Sequence, residues 1–221
     1  VAGVVIANEL IDAMPARRLQ WNGARWNELG VRVAHDRVEP AEAPRPDAVP
    51  PPPLPERPEP GTIVEFSSSG EALVREVADH LTAGAFLLID YGMSQAELLA
   101  AHPRGTLEAI RRHRSVADPL SAPGETDLSV FVNFDRLRAA AKAAGWIELA
   151  YRSQAQALEA WGFPEQFQEA LTRTRSSEDE VRLRLAAKSL LFGFERFRVL
   201  ELAPPAGRPL ASISGTATAR P

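Results

Sequence analysis

Apolar residues open the chain in an unbroken run, Val1 to Ala7, which stops on a segment holding three polar side chains, Asn8, Glu9 and Asp12. A short continuous run of this kind reads as a β-strand buried on both faces. Alternation then takes over. Arg17 to Val38 carries Leu19, Trp21, Trp26, Leu29, Val31 and Val33 around Asn22-Gly23, a favoured hairpin turn pair, so a β-hairpin arm is predicted over 17–38. Residues 39–60 are dense in proline, unable to pair as a central strand or to continue as a helix, and are expected to form an extended loop. Ser67 to Ser69 cap a predicted helix over Gly70 to Thr82, where Leu73, Val77, Ala78 and Leu81 recur at helical spacing and Gly84 supplies the stop. Ala85 to Ile89 reads as a second buried strand, ending on Asp90-Tyr91-Gly92.

The alternation continues in the second half. Asn133 to Ala144 predicts a helix closed by Gly145, and Trp146 to Arg152 a strand. Helices are expected over 154–161, 164–174 and 177–192, the last with a capping box in Ser177 and Glu180, and a final strand over Arg196 to Leu202. Strands separated by helices imply an α/β fold, a parallel sheet with helices on its faces. No internal repeat is present. The 221 residues suit one domain over 1–202, with 154–192 as a helical insertion and 203–221 as a mobile tail.

Composition narrows the function classes. An apolar content of 45% with 24% charged residues is that of a globular domain. The formal net charge of −4 gives no general pull toward a phosphate backbone, which disfavours nucleic acid as a partner. Without cysteine, and with four histidines at spacings that match no metal motif, neither a disulfide framework nor a structural zinc is expected. No run is long enough to span a membrane and no secretory signal is visible, so a cytoplasmic location and no membrane partner are expected. A buried strand at residue 1, without cap or lead-in, suggests the later part of a longer polypeptide.

In an open α/β sheet, ligands bind beyond the carboxyl ends of strands, so Asn8-Glu9 and Asp90-Tyr91 are expected to face a shared cleft. Each candidate also has a plain structural reading. Asn8 can cap a short helix over Glu9 to Ala13, with Asp12 solvating its first turn. Asp90 can be a strand-end acceptor and Tyr91 a core ring. Gly105-Thr106-Leu107 can start a helix capped by Thr106. His113, beside Arg111, Arg112 and Arg114, then lies on a solvated basic face. Asp127 can cap a turn, and Gln154 opens a helix.

The strings "NELIDAMP", "LLIDYG", "GTLEAIRRH", "DPLSAPGETDLSVFVNF" and "SQAQALEAWG", in this order over Val4 to Leu202, resemble the MidA-type family of S-adenosylmethionine-dependent methyltransferases, relatives of a mitochondrial complex I assembly factor. The resemblance implies a class I, Rossmann-like methyltransferase sheet of seven strands, acting with S-adenosyl-L-methionine on arginine of a protein partner. On that template Val4 to Ala7 is the fourth strand, Phe86 to Ile89 the fifth, Ile147 to Arg152 the sixth and Arg196 to Leu202 the antiparallel seventh. The family's glycine-rich cofactor loop and its acidic ribose contact lie upstream of Val1 or are absent, so the sheet is expected to lack its first strands. The resemblance puts Asn8 on the cofactor side, Glu9 and Asp12 in catalysis, and Asp90, Tyr91, His113 and Asp127 at the substrate. A fork of hydrogen bonds from a guanidinium to Glu9 or Asp12 would fix the acceptor nitrogen. This sequence departs from the family at Glu108, Ile110 and Phe131, where a basic residue, an aromatic one and a histidine are usual. A non-catalytic interaction or assembly module of the same fold is the alternative. Self-association is expected of an open sheet edge.

Overall fold

The computed structural model of the chain describes residues 1–35, 37–44 and 54–204. They fall into two compact units, the first built from Val1–Asn8, Val77–Asp90 and the chain from Gly145 on, the second from Glu9–Glu76 and Tyr91–Ala144. In chain order the first half contains β1 (Ala2–Asn8), β2 (Arg17–Trp21), β3 (Trp26–Ala34), β4 (Arg37–Pro44), β5 (Ile63–Phe66), α1 (Ser68–His80) and β6 (Ala83–Met93). There follow α2 (Gln95–Ala101), β7 (Glu108–Arg111), β8 (Arg114–Ser115), β9 (Asp127–Ser129), β10 (Val132–Asn133) and α3 (Phe134–Ala143). The chain continues through β11 (Ile147–Ser153), α4 (Gln154–Ala160), α5 (Phe163–Thr172), α6 (Ser177–Phe192) and β12 (Phe197–Ala203). Residues 45–53 of the expected proline-rich loop, and the expected tail from 205 on, lie outside the described residues.

The first unit carries the sheet order β1-β6-β12-β11. β1 runs parallel to β6, with Val5 beside Phe86 and Asn8 beside Ile89, and β11 runs antiparallel to β12. The antiparallel seventh strand of the template thus lies between the fifth and the sixth, and the α/β methyltransferase-like sheet is present. Its core is Phe86, Leu88, Val199, Leu200 and Leu202, all buried, with Trp146 set against Phe86 at 5.9 Å between ring centroids. β1 departs from expectation: Val4 is 44% and Ile6 62% exposed. An apolar run specifies a strand but not how many neighbours cover it, and β1 is an edge strand. Gly84 is no helix stop. It stands in β6 at φ +116°, where a Cβ would lie 1.8 Å from the Gly3 carbonyl oxygen, so close backbone approach explains the glycine. α6 is capped by Ser176, whose Oγ accepts from the Asp179 N–H at 3.1 Å, one residue before the expected Ser177.

The second unit contains a sheet of order β4-β3-β2-β5 and a small one of order β8-β7-β9. At the predicted hairpin, Asn22 Oδ1 accepts from the N–H groups of Ala24 and Arg25, at 2.9 Å each, and Gly23 takes φ +98°. The proline-rich stretch does not begin as a loop. Residues 37–44 pair with β3, Pro40 opposite Val31, on an edge where a missing N–H is tolerated. β5, which the sequence reading passes over, is buried along its whole length. The strand ending expected at Asp90 is later: Gly92 and Met93 pair with Val132 and Asn133 of β10. "GTLEAIRRH" starts no helix. It enters the β7–β8 hairpin, whose turn residues Arg112 and His113 have φ +51° and +61°, so the basic cluster is a hairpin tip rather than a helix face.

Candidate functional site

Strand register builds the floor of a cleft in the second unit. Leu29 is opposite both Arg18 and Glu42, and Arg18 is opposite Glu65. One row across four strands therefore reads Glu42, Leu29, Arg18, Glu65, with all four side chains on one face. Arg18, Leu29 and Glu42, with Val31 and Pro40 of the next row, line a cleft of about 630 Å³ whose remaining wall includes Asp12 to Ala16, Leu107, Leu120 and Val130. Apolar side chains dominate this wall, and its charged members are Asp12, Arg18 and Glu42. A mostly apolar cavity with a few placed polar groups is the usual form of a ligand site.

The charged members are held from behind. Arg18 Nε donates to Glu65 Oε1 at 2.7 Å. Glu65 is only 6% exposed, and its Oε2 accepts from both the N–H and the hydroxyl of Thr106, at 2.6 Å each. The Thr106 hydroxyl in turn accepts from the Phe131 N–H at 2.8 Å, so Thr106 caps no helix but joins β5 to the segment before β10. Asp12 is 5% exposed. Its carbonyl accepts from the Val130 N–H at 3.1 Å, and the preceding Ile11 packs so close to α1 that a Cβ on Gly70 would lie 2.7 Å from it. Asn27 Nδ2 donates to Glu42 Oε2 at 3.2 Å.

Elsewhere in this sheet Arg17 grips Glu28 through Nε and Nη2, at 2.6 and 2.5 Å. Those hydrogen bonds, and the attraction between the charges, hold the Glu28 carboxyl below its ordinary range and the Arg17 guanidinium above its own, against an opposing desolvation.

The sequence-predicted residues are distributed as follows. Asp12 lines the cleft. Asn8 ends β1 beside Ile89, which brings it next to the buried Asp90 in the neighbouring strand of the first unit. In the second unit, Glu9 is exposed at φ +47°. Tyr91 packs on Phe131 with ring centroids 6.2 Å apart, and His102 meets the same ring edge-on at 5.1 Å. Phe131 is buried and serves this aromatic cluster, which accounts for an apolar residue at this position. His113 is exposed at the hairpin tip, and Asp127 is exposed in β9, opposite Ile110. Gln154 begins α4, capped by Ser153. Sequence reading missed Arg18 and Glu65. The available signal was a carboxylate inside the otherwise apolar "IVEF".

Among the described residues no group of His, Asp or Glu side chains gathers to hold a metal ion, and no helix is long and apolar enough to cross a membrane. Residues 1–151 match the family described as "Putative S-adenosyl-L-methionine-dependent methyltransferase". Two solved structures from Burkholderia thailandensis are similar to the chain. An uncharacterized protein is 27% identical at a TM-score of 0.82, over 100% of this chain and 59% of its own. A member of the same superfamily bound to S-adenosyl-homocysteine is 27% identical at a TM-score of 0.79, over 97% of this chain and 56% of its own. The chain spans a little under three fifths of the length of these structures.

Proposed function

The chain belongs to this family of S-adenosyl-L-methionine-dependent methyltransferases, and from that premise we propose that the protein methylates arginine on a protein partner, with the acceptor side chain in the cleft beside Asp12. The observation that carries this reading is an aspartate only 5% exposed in the wall of a largely apolar cavity of about 630 Å³. An arginine has the matching form: an apolar three-methylene stem and a planar cation that donates in a fork. Asp12 accepts those N–H groups, turns one nitrogen toward the reacting carbon and receives its proton. Positioning and exclusion of water are the main demands of such a reaction, because no strong acid is required.

When bound, S-adenosylmethionine supplies the electrophilic methyl carbon on its sulfonium. The 14 glycines of the sequence are nowhere closer than seven residues apart, so residues 1–221 contain no closely spaced glycine loop for it. Our assignment for this chain's share in holding the cofactor is Asn8, at the end of a strand parallel to its neighbour.

The test is transfer of labelled methyl from S-adenosylmethionine into an extract of cells lacking the gene, with amino-acid analysis of the product. Label is expected on arginine, and Asp12→Asn is expected to lower its rate by about tenfold to hundredfold, the loss of one charge-assisted hydrogen bond. Label on another residue type, or undiminished transfer by the variant, overturns the reading.

A further inference from the structure

Arg18 is held in a way that a simple structural ion pair does not require. Among the described residues its guanidinium has one acceptor, Glu65, reached through Nε, and neither Nη has a hydrogen-bond partner there. Glu65 is fixed in its turn by two bonds from Thr106. Gly105, at φ +88°, leaves no space for a side chain behind the pair: a Cβ would stand 2.8 Å from Glu65 Oε1 and 3.2 Å from Arg18 Nη2. One edge of the guanidinium is clamped, with Nη2 on the side of Gly105, and the Arg18 side chain lines a cleft otherwise rich in apolar surface.

A guanidinium presented in this manner selects by direction. Glu65 offsets its net charge, so the attraction to a distant anion is weak, while two N–H donors in a fixed plane match the two oxygens of a carboxylate. Asp12 and Glu42, also in the wall, disfavour a purely anionic ligand and suit one that carries charges of both signs. We propose that Arg18 receives a carboxylate of the methyl-accepting protein, from an acidic side chain or a chain terminus close in sequence to the accepting residue. A cavity of about 630 Å³ lies in the range that admits a drug-sized ligand, and hence two neighbouring side chains. This inference rests on the reading of the cleft as the acceptor site.

The test uses blocked, fluorescently labelled heptapeptides with one arginine and a glutamate one, two or three residues after it, titrated into the protein saturated with S-adenosyl-homocysteine. Matched peptides carry glutamine for the glutamate, a free terminal carboxylate in its place, or norleucine for the arginine. At least one glutamate or free-carboxylate peptide is expected to bind about tenfold more tightly than its uncharged counterpart, which corresponds to about 1.4 kcal/mol. The tighter of the two identifies the carboxylate's source. Arg18→Gln is expected to remove the preference, and Arg18→Lys to keep part of it. Absence of any preference for a carboxylate, failure of all peptides to bind, or a preference that survives in Arg18→Gln overturns the inference. The wild-type comparison needs no variant, so the outcome is decided even where Arg18→Gln misfolds. A carboxylate preference undiminished in the norleucine series leaves the Arg18 site standing and removes the arginine reading instead.

Discussion

Thr106 donates twice to a single oxygen of Glu65, through its backbone N–H and its hydroxyl, at 2.6 Å each. The same hydroxyl accepts from the Phe131 N–H, so one threonine joins three segments distant in sequence. Thr106→Val keeps the shape, deprives the buried Glu65 of a donor and leaves the Phe131 N–H without its acceptor. A loss of about 2–3 kcal/mol is expected, because unmade bonds to buried polar groups cost more than made ones contribute. Thr106→Ser is expected to lose much less. Urea unfolding of the three proteins measures the difference, and equal midpoints for valine and threonine would show that Glu65 does not depend on the hydroxyl.

Two glycines separate backbone strain from steric conflict. Gly105 and Gly124 share a left-handed φ, +88° and +84°, yet a Cβ at Gly124 meets nothing within 4 Å. Gly124→Ala is expected to cost only the strain of the left-handed backbone, about 1 kcal/mol. Gly105→Ala adds displacement of Glu65 and Arg18 and is expected to cost about 2 kcal/mol more, in the range of a forced overpacking. Denaturant midpoints rank the two variants, and a Gly105→Ala no worse than Gly124→Ala counts against the clamp on Arg18.

What the sequence discloses here is local. Asn22-Gly23 announces its turn, and Asn133 accepts from the Arg136 N–H to start α3 beside the predicted position. Burial and partnership are less legible because they depend on distant chain. The apolar residues of β1 specify a strand, yet Ile6 is exposed at the sheet's edge. Glu65 stands out in an apolar run, but its partners Arg18 and Thr106 lie 47 and 41 residues away, and no local pattern connects them. Arg112 and His113 hide a hairpin because two non-glycine residues hold positive φ in its turn, where Asn-Gly would have signalled it.

The Arg17–Glu28 pair has a defined pH signature. Its hydrogen bonds depress the Glu28 carboxyl in the folded state, so its contribution to stability is complete above the ordinary carboxylate range and disappears as pH falls through the lowered value. Glu28→Gln forgoes that contribution at neutral pH and has none to lose in acid. The melting temperature of the wild-type protein is therefore expected to exceed that of Glu28→Gln near pH 7, with the gap closing below about pH 4. A gap that stays constant into acid would assign the difference to packing rather than to charge.

Glu9 allows stability and chemistry to be separated at one residue. Its φ of +47° is a left-handed conformation that disfavours any side chain with a Cβ and suits glycine. A glutamate kept there has a cost that a purely structural turn could avoid, which is the pattern of strain retained at functional positions. Glu9→Ala keeps the Cβ without the carboxylate, whereas Glu9→Gly removes both. The glycine variant is expected to be more stable than the alanine variant by about 1 kcal/mol. If the carboxylate serves methyl transfer, both variants lose activity alike, by about tenfold to hundredfold for one charge-assisted bond, although their stabilities diverge. Paired unfolding and methyl-transfer measurements on the two variants decide the matter: full activity in the glycine variant would reduce Glu9 to a turn residue and leave Asp12 as the carboxylate of the reaction.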